Sequence, residues 1–95
     1  MFITLLKFSD NKAAASDYMA GHNKWIEAGF ADGVFHCVGS IKPGAGGAIL
    51  MSGEDESEIK KRVNSDPFVQ HNVVTAEIIE VDVKKTSAAA EILKA

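Results

Sequence analysis

The spacing of apolar residues along the chain predicts four strands and two helices. The strand segments, rich in β-branched and aromatic residues, are 2–8, 34–41, 48–52 and 73–83. From residue 13 to residue 31 the apolar positions recur every three or four residues, which is the period of an amphipathic helix. A second helix is predicted over residues 53–64, where acidic residues precede basic ones and so complement the helix dipole.

These elements follow one another in the order strand, helix, strand, strand, helix, strand. That order is the ferredoxin-like arrangement, in which a four-stranded antiparallel sheet carries both helices on one face. The predicted fold class is therefore α+β, with a ferredoxin-like domain over residues 1–83. Residues 84–95 are expected to form a separate, helix-prone C-terminal tail with Thr86 or Ser87 as its cap.

Apolar residues occupy both faces of the predicted sheet. In the first strand, Phe2 and Leu6 point to one face while Ile3 and Leu5 point to the other. A sheet with one solvated face should instead alternate cleanly between apolar and polar residues. The helices cover one face, and a second copy of the chain on a two-fold axis is the most economical cover for the other. We therefore expect a homodimer joined through the sheet faces.

Composition and charge narrow the classes of partner. The chain has 95 residues, 46% of them hydrophobic, and a formal net charge of −3. Its basic residues do not form the face that nucleic-acid binding needs, so no nucleic-acid partner is expected. The apolar start has no basic segment and is interrupted by Lys7, which predicts neither a signal peptide nor a membrane span. The single cysteine, Cys37, suits a reducing environment, and we expect a cytoplasmic protein.

The candidate chemistry centres on one histidine and one aspartate. His22 lies on the apolar stripe of the first helix, where a lone histidine is more often a core residue than a catalyst. Asp66 stands directly before Pro67, a common helix start in which the carboxylate accepts free backbone N–H groups. A carboxylate has lone pairs to spare, so the same side chain could also accept an imidazole N–H. On these residues alone, the structural and the catalytic interpretations both stay open.

Other residues are candidates for contacts with a small-molecule ligand. Simple alternation places His36 and Ser40 on one face of the second predicted strand, where they would line a cleft or form a plain cross-strand polar pair. Trp25 and Phe68 could line a pocket for a small molecule, although aromatic residues more often pack in the hydrophobic core. The glycine-rich residues 44–47 lack the lysine and the following helix of a phosphate loop, which favours a hairpin loop at the rim. The histidines lack metal-ligand spacing, so no metal site is expected.

The order of these features resembles the YciI-like, or YCII-related, family. The resemblance covers about residues 1–83 and rests on the helix histidine, a strand ending in VGS, the segment PGAGGAIL and the element SDPF. The DPF element together with the upstream histidine is its specific part. The resemblance implies a ferredoxin-like fold that dimerises through its sheets into an α/β barrel. It also implies a histidine–aspartate site, which maps to His22 and Asp66.

One characterised branch of that family eliminates chloride from a chlorinated, hydroxylated aromatic ring. The resemblance thus implies a lyase-type, dehydrochlorinase-like enzyme without a cofactor, whose His22–Asp66 pair performs proton abstraction or elimination on a small cyclic or aromatic compound. Ser40 stands where the family commonly has proline, which bears on the substrate. The alternatives are a module that binds a small ligand or a partner protein without catalysis, and a cofactor-free oxygenase or isomerase of the same barrel architecture.

Overall fold

The computed structural model describes all 95 residues, and its strands form a single antiparallel sheet. The strands are β1 (Phe2–Phe8), β2 (Phe35–Ile41), β3 (Gly46–Met51) and β4 (Val74–Glu80). They are arranged in the order β2-β3-β1-β4, and each neighbouring pair is antiparallel. This is the ferredoxin-like α+β fold that the sequence predicts.

Three α-helices connect the strands: α1 (Ala15–Ala31), α2 (Glu56–Asn64) and the short α3 (Pro67–Gln70). Helix α2 begins with a capping box, in which the side chains of Asp55 and Glu58 each accept from the backbone N–H of the other. The capping box and the acidic first turn explain why this helix begins where it does. Helix α3 lies in the connector between α2 and β4, with Asp66 as its cap and Pro67 at its start.

The hydrophobic core lies between the helices and one face of the sheet. Its twelve buried residues are Phe2, Leu6, Trp25, Val34, Phe35, Ile49, Met51, Ile59, Val63, Phe68, Val73 and Val74. Helix α1 approaches the sheet closely at Gly29, because a Cβ atom at that position would overlap with the ring of Phe35. The helix can therefore pack there only with glycine.

Two strand boundaries differ from those predicted by more than one residue. Strand β3 begins at Gly46 rather than at residue 48, since Gly46 adopts a φ of 139° that keeps it paired with Lys7 of β1. Strand β4 ends at Glu80 rather than at residue 83. Apolar residues do occupy both faces of the sheet: Ile3 and Ile79 pair on the face away from the core, and Ile79 is 39% exposed.

The C-terminal tail contacts the sheet of its own chain. Its only helical element is a 3₁₀ helix, Ala88–Lys94. The hydroxyl of Ser52, at the end of β3, donates to the carbonyl oxygen of Ile92 over a distance of 2.9 Å. The tail is thus anchored at the β3 end of the sheet, while the Ile92 side chain remains 55% exposed.

Replacing Gly29 with alanine should lower the free energy of unfolding by about 1–2 kcal/mol, because the added methyl group forces α1 away from Phe35. This loss is expected although alanine is the better helix former. Gly39→Ala is the matched control, since no atom lies within 4 Å of a Cβ built there. Urea unfolding measures both variants, and equal stability of Gly29→Ala and the wild type would contradict the close approach.

Candidate active site

Helices α1 and α3 bring His22 and Asp66 into direct contact. Nδ1 of His22 lies 2.8 Å from Oδ1 of Asp66. An ionised carboxylate only accepts hydrogen bonds, so this contact places a proton on Nδ1 and leaves Nε2 as the unpaired ring nitrogen. The Asp66 side chain is fully buried, whereas 13% of the His22 side chain is exposed.

The contact follows from how the chain starts α3. Oδ1 of Asp66 accepts from the backbone N–H of Phe68 at 3.0 Å, which is the helix cap that the DP pair predicts. The same oxygen accepts from His22, while Oδ2 is buried without a hydrogen-bond partner. A Cβ atom at Gly21 would lie 3.1 Å from Pro67, so glycine lets α1 come close enough for His22 to reach the cap.

Aromatic side chains fix the orientation of the His22 ring. Phe68 stacks on it with a centroid distance of 3.9 Å and an angle of 6° between the planes. The Trp25 ring lies 5.8 Å away, and its Nε1–H donates to the carbonyl oxygen of Arg62 at 2.8 Å. The imidazole is therefore held by a carboxylate at one edge and by an aromatic ring against its face.

The Arg62 side chain ties the supporting helices together. Its guanidinium makes a bidentate pair with Glu54, at 2.8 and 3.0 Å, and a further contact with Asp32 at the end of α1. The hydrogen bond with Glu54 is the main cause that raises the pKa of Arg62 above its usual value. The contact with Asp32 joins α2 to the end of α1, and the backbone carbonyl group of Arg62 itself accepts from Trp25.

A cavity of about 270 Å³ opens beside His22, between α1 and the helix-facing side of the sheet. Its wall on α1 consists of Met19, His22, Asn23 and Ile26, and the sheet contributes Leu6, Phe8, Val38, Gly39, Ser40, Gly46, Gly47 and Val74, with Phe68 from α3. This volume is near the lower end of the range for small-molecule sites. Since Nδ1 is bound to Asp66, Nε2 is the polar atom of the His22 ring left for a molecule in the cavity.

The structure brings together four of the six site residues proposed from the sequence. His22, Ser40 and Phe68 line the cavity, and Asp66 supports His22 from behind. Trp25 does not line the cavity, because its ring packs behind His22 in the core. Contact of Trp25 with a ligand stays a prediction, and in this structure the residue supports the histidine from the core.

His36 also lies outside the cavity, and a β-bulge is the physical reason. Phe35 pairs with Met51 and Cys37 pairs with Leu50, so His36 is an extra residue that shifts the alternation of β2. The prediction that His36 and Ser40 share a face is wrong for this reason. Nε2 of His36 instead lies 2.6 Å from the Ser52 hydroxyl that anchors the tail.

The sequence interpretation missed Asn23 and Gly47, which both line the cavity. A signal existed for Asn23, because residues 19, 22, 23 and 26 follow the spacing of one helix face. The sequence predicts a loop at Gly47, although the residue lies within β3. No three His, Cys, Asp or Glu side chains are grouped so that they could hold a metal ion. None of the helices has the length and apolar character needed to cross a bilayer.

The fold and this histidine–aspartate contact define a small ferredoxin-like domain with a ligand-sized cavity. The family model described as YCII-related domain matches residues 1–84, and the chain belongs to this family. A solved structure of 5-chloro-2-hydroxyhydroquinone dehydrochlorinase from Burkholderia phenoliruptrix AC1100, in complex with 2,5-dihydroxybenzoquinone, is similar with a TM-score of 0.68. The identity is 17%, over 85% of this chain and 93% of the other, so the likeness supports the fold. No curated protein sequence matches the chain.

Asp66→Asn should change the free energy of unfolding by less than about 1 kcal/mol, because asparagine caps helices as well as aspartate does. Its Oδ1 can accept from both His22 and Phe68, with the amide nitrogen in the place of the unpartnered Oδ2. Asp66→Ala removes both hydrogen bonds and should cost about 2–3 kcal/mol. Urea unfolding of the two variants is the measurement, and equal losses would show that Oδ1 does not serve both donors.

Proposed function

We propose that this protein is a cofactor-independent enzyme whose His22–Asp66 pair moves a proton on a small cyclic or aromatic compound. The observation that carries the proposal is the orientation of the histidine. Its Nδ1 binds a fully buried carboxylate, and its unpaired Nε2 is left for the cavity. An imidazole held in one tautomer by a carboxylate is a recurrent arrangement for general acid–base catalysis.

In the proposed reaction Nε2 accepts a proton from a ring carbon or a ring hydroxyl of the substrate. Asp66 then stabilises the imidazolium ion without itself taking the proton. In an elimination, the hydroxylated ring reacts as its keto tautomer, in which the carbon that loses the proton and the carbon that carries the leaving group are both tetrahedral. The electron pair of the broken C–H bond then forms a new double bond, and the leaving group departs with its own bonding pair. The proton on Nε2 passes to the product or to solvent, which restores the neutral histidine.

The cavity supports a small ring as the substrate. Its volume of about 270 Å³ accommodates a compact molecule, and most of its named side chains are apolar. Phe68 supports the flat face of His22, and Ser40 supplies a hydroxyl group at the cavity wall. The similar dehydrochlorinase was solved with a dihydroxylated quinone, which favours a lyase acting on an oxygenated ring.

We further propose that two copies of the chain pack through the exposed face of the sheet. Ile3 and Ile79 lie paired on that face, and the 39% exposure of Ile79 leaves apolar surface that a partner would bury. A two-fold arrangement covers the same surface of both copies at once.

Loss of Nε2 should abolish catalysis. His22→Asn keeps a side-chain N–H near the position of Nδ1 and removes Nε2, so it separates the catalytic atom from the contact with Asp66. We expect the exchange of ring hydrogens of 2,5-dihydroxybenzoquinone for deuterium, followed by NMR, to fall at least about 100-fold. Chloride release from 5-chloro-2-hydroxyhydroquinone is the matching assay for elimination.

The control is His71→Asn, since His71 is exposed and lies outside the cavity. This variant should catalyse deuterium exchange and chloride release at the rates of the wild type. Undiminished exchange in His22→Asn would refute the proposed role of His22. Binding of the quinone by a wild type that accelerates neither reaction would instead indicate a ligand-binding module.

The wild type should sediment as a dimer at micromolar concentration. Ile79→Lys places a charge on the open face of the sheet, opposite Ile3, and should give monomers, because an unpaired charge would be buried at the interface. Glu56→Lys on the exposed surface of α2 is the control and should remain dimeric. A wild type that sediments as a monomer in analytical ultracentrifugation would contradict the proposed dimer.

A further inference from the structure

Ser40 and Gly47 lie directly opposite each other in the sheet and form part of the cavity wall. Gly47 also pairs with Leu6, which is 3% exposed and belongs to the core. Residues directly opposite in an antiparallel ladder point to the same face of the sheet. The three positions therefore share the side that faces α1, where His22 lines the other wall.

The backbone does not require glycine at position 47. Its neighbour Gly46 shows what such a requirement looks like, with a φ of 139° and a Cβ position that would overlap with the carbonyl oxygen of Leu6. A Cβ atom at Gly47 would meet only the carbonyl oxygen of Gly39, at an ordinary contact distance of 3.4 Å. Glycine within a strand lowers stability and often marks a place where a ligand approaches closely.

We propose that Gly47 sets the size limit of the substrate and that Ser40 binds an oxygen substituent on the substrate ring. This inference rests on the proposed function and specifies its substrate class. The missing side chain at Gly47 leaves room for a single ring between β3 and His22. The substrate class that fits between Gly47 and His22 is a one-ring phenol, hydroquinone or quinone. Its hydroxyl or carbonyl group would lie against Ser40, opposite His22.

The position of Ser40 suits the proton transfer. In the keto tautomer of the ring, Nε2 of His22 removes the proton from a tetrahedral carbon next to a carbonyl group, and the electron pair of that bond moves toward the carbonyl oxygen. The Ser40 hydroxyl can donate a hydrogen bond to that oxygen, where the negative charge develops. It can equally accept from a ring hydroxyl in the ground state. Ser40 is thus a substrate-positioning group, and no covalent bond to it is formed.

Three variants and three probes test the proposal by NMR titration. Gly47→Val should reduce hydroquinone affinity at least tenfold without lowering the melting temperature, since valine suits a strand. Ala48→Val is the matched control, because Ala48 follows Gly47 in β3, pairs with Leu5 on the other face of the sheet and does not line the cavity. It should bind hydroquinone as the wild type does. The larger 1,4-dihydroxynaphthalene should bind the wild type at least tenfold more weakly than hydroquinone.

Ser40→Ala isolates the hydrogen bond. This variant should bind hydroquinone several-fold more weakly than the wild type does. Its affinity for toluene, which has no oxygen, should be unchanged. Equal weakening of both probes would overturn the role of Ser40, and full hydroquinone binding by Gly47→Val would overturn the size limit. A wild type that does not bind hydroquinone would overturn the substrate class. If these binding results hold but His22→Asn still catalyses deuterium exchange, the proposed function fails while the binding subsite stands.

Discussion

A single buried carboxylate oxygen connects the local structure of this protein to its candidate chemistry. Oδ1 of Asp66 accepts the backbone N–H of Phe68, which starts α3, and the Nδ1–H of His22, which lies on α1. Burying a carboxylate is costly unless donors compensate it, so the position of Asp66 depends on both contacts. The cap brings Phe68 to the face of the imidazole, and the hydrogen bond fixes which nitrogen is free. The structural and the functional interpretations of the DP pair therefore describe two hydrogen bonds to the same oxygen atom.

The cavity exists because α1 touches its neighbours closely at two points and leaves space along the sheet elsewhere. Gly21 allows the contact with Pro67, and Gly29 allows the contact with Phe35. Along the same side of the sheet, Ser40 and Gly47 fill little volume. Close packing is the rule in protein interiors, so an opening next to an oriented histidine supports the proposed small-molecule ligand.

Periodicity and capping rules predicted much of this architecture, because they depend on neighbours in the chain. The order of the elements and the helix start at Asp66 belong to this class. The partnership of His22 with Asp66 came from the family resemblance, since the two residues are 44 positions apart. The prediction that His36 and Ser40 share a face is wrong, and Trp25 lies in the core rather than at the cavity. A bulge arises from pairing between strands, and the packing of Trp25 behind His22 depends on a carbonyl group of another helix.

The tautomer of His22 tests the central claim most directly, and long-range ¹H–¹⁵N NMR of protein labelled in its histidines measures it. Resonances are assigned by comparison with His22→Asn. We expect a protonated Nδ1 and an unprotonated Nε2 at neutral pH, and we expect the Nε2 resonance to shift when a small hydroxylated ring enters the cavity. A proton on Nε2 with Nδ1 bare would contradict the account, because His22 could then neither donate to Asp66 nor accept a proton from a substrate.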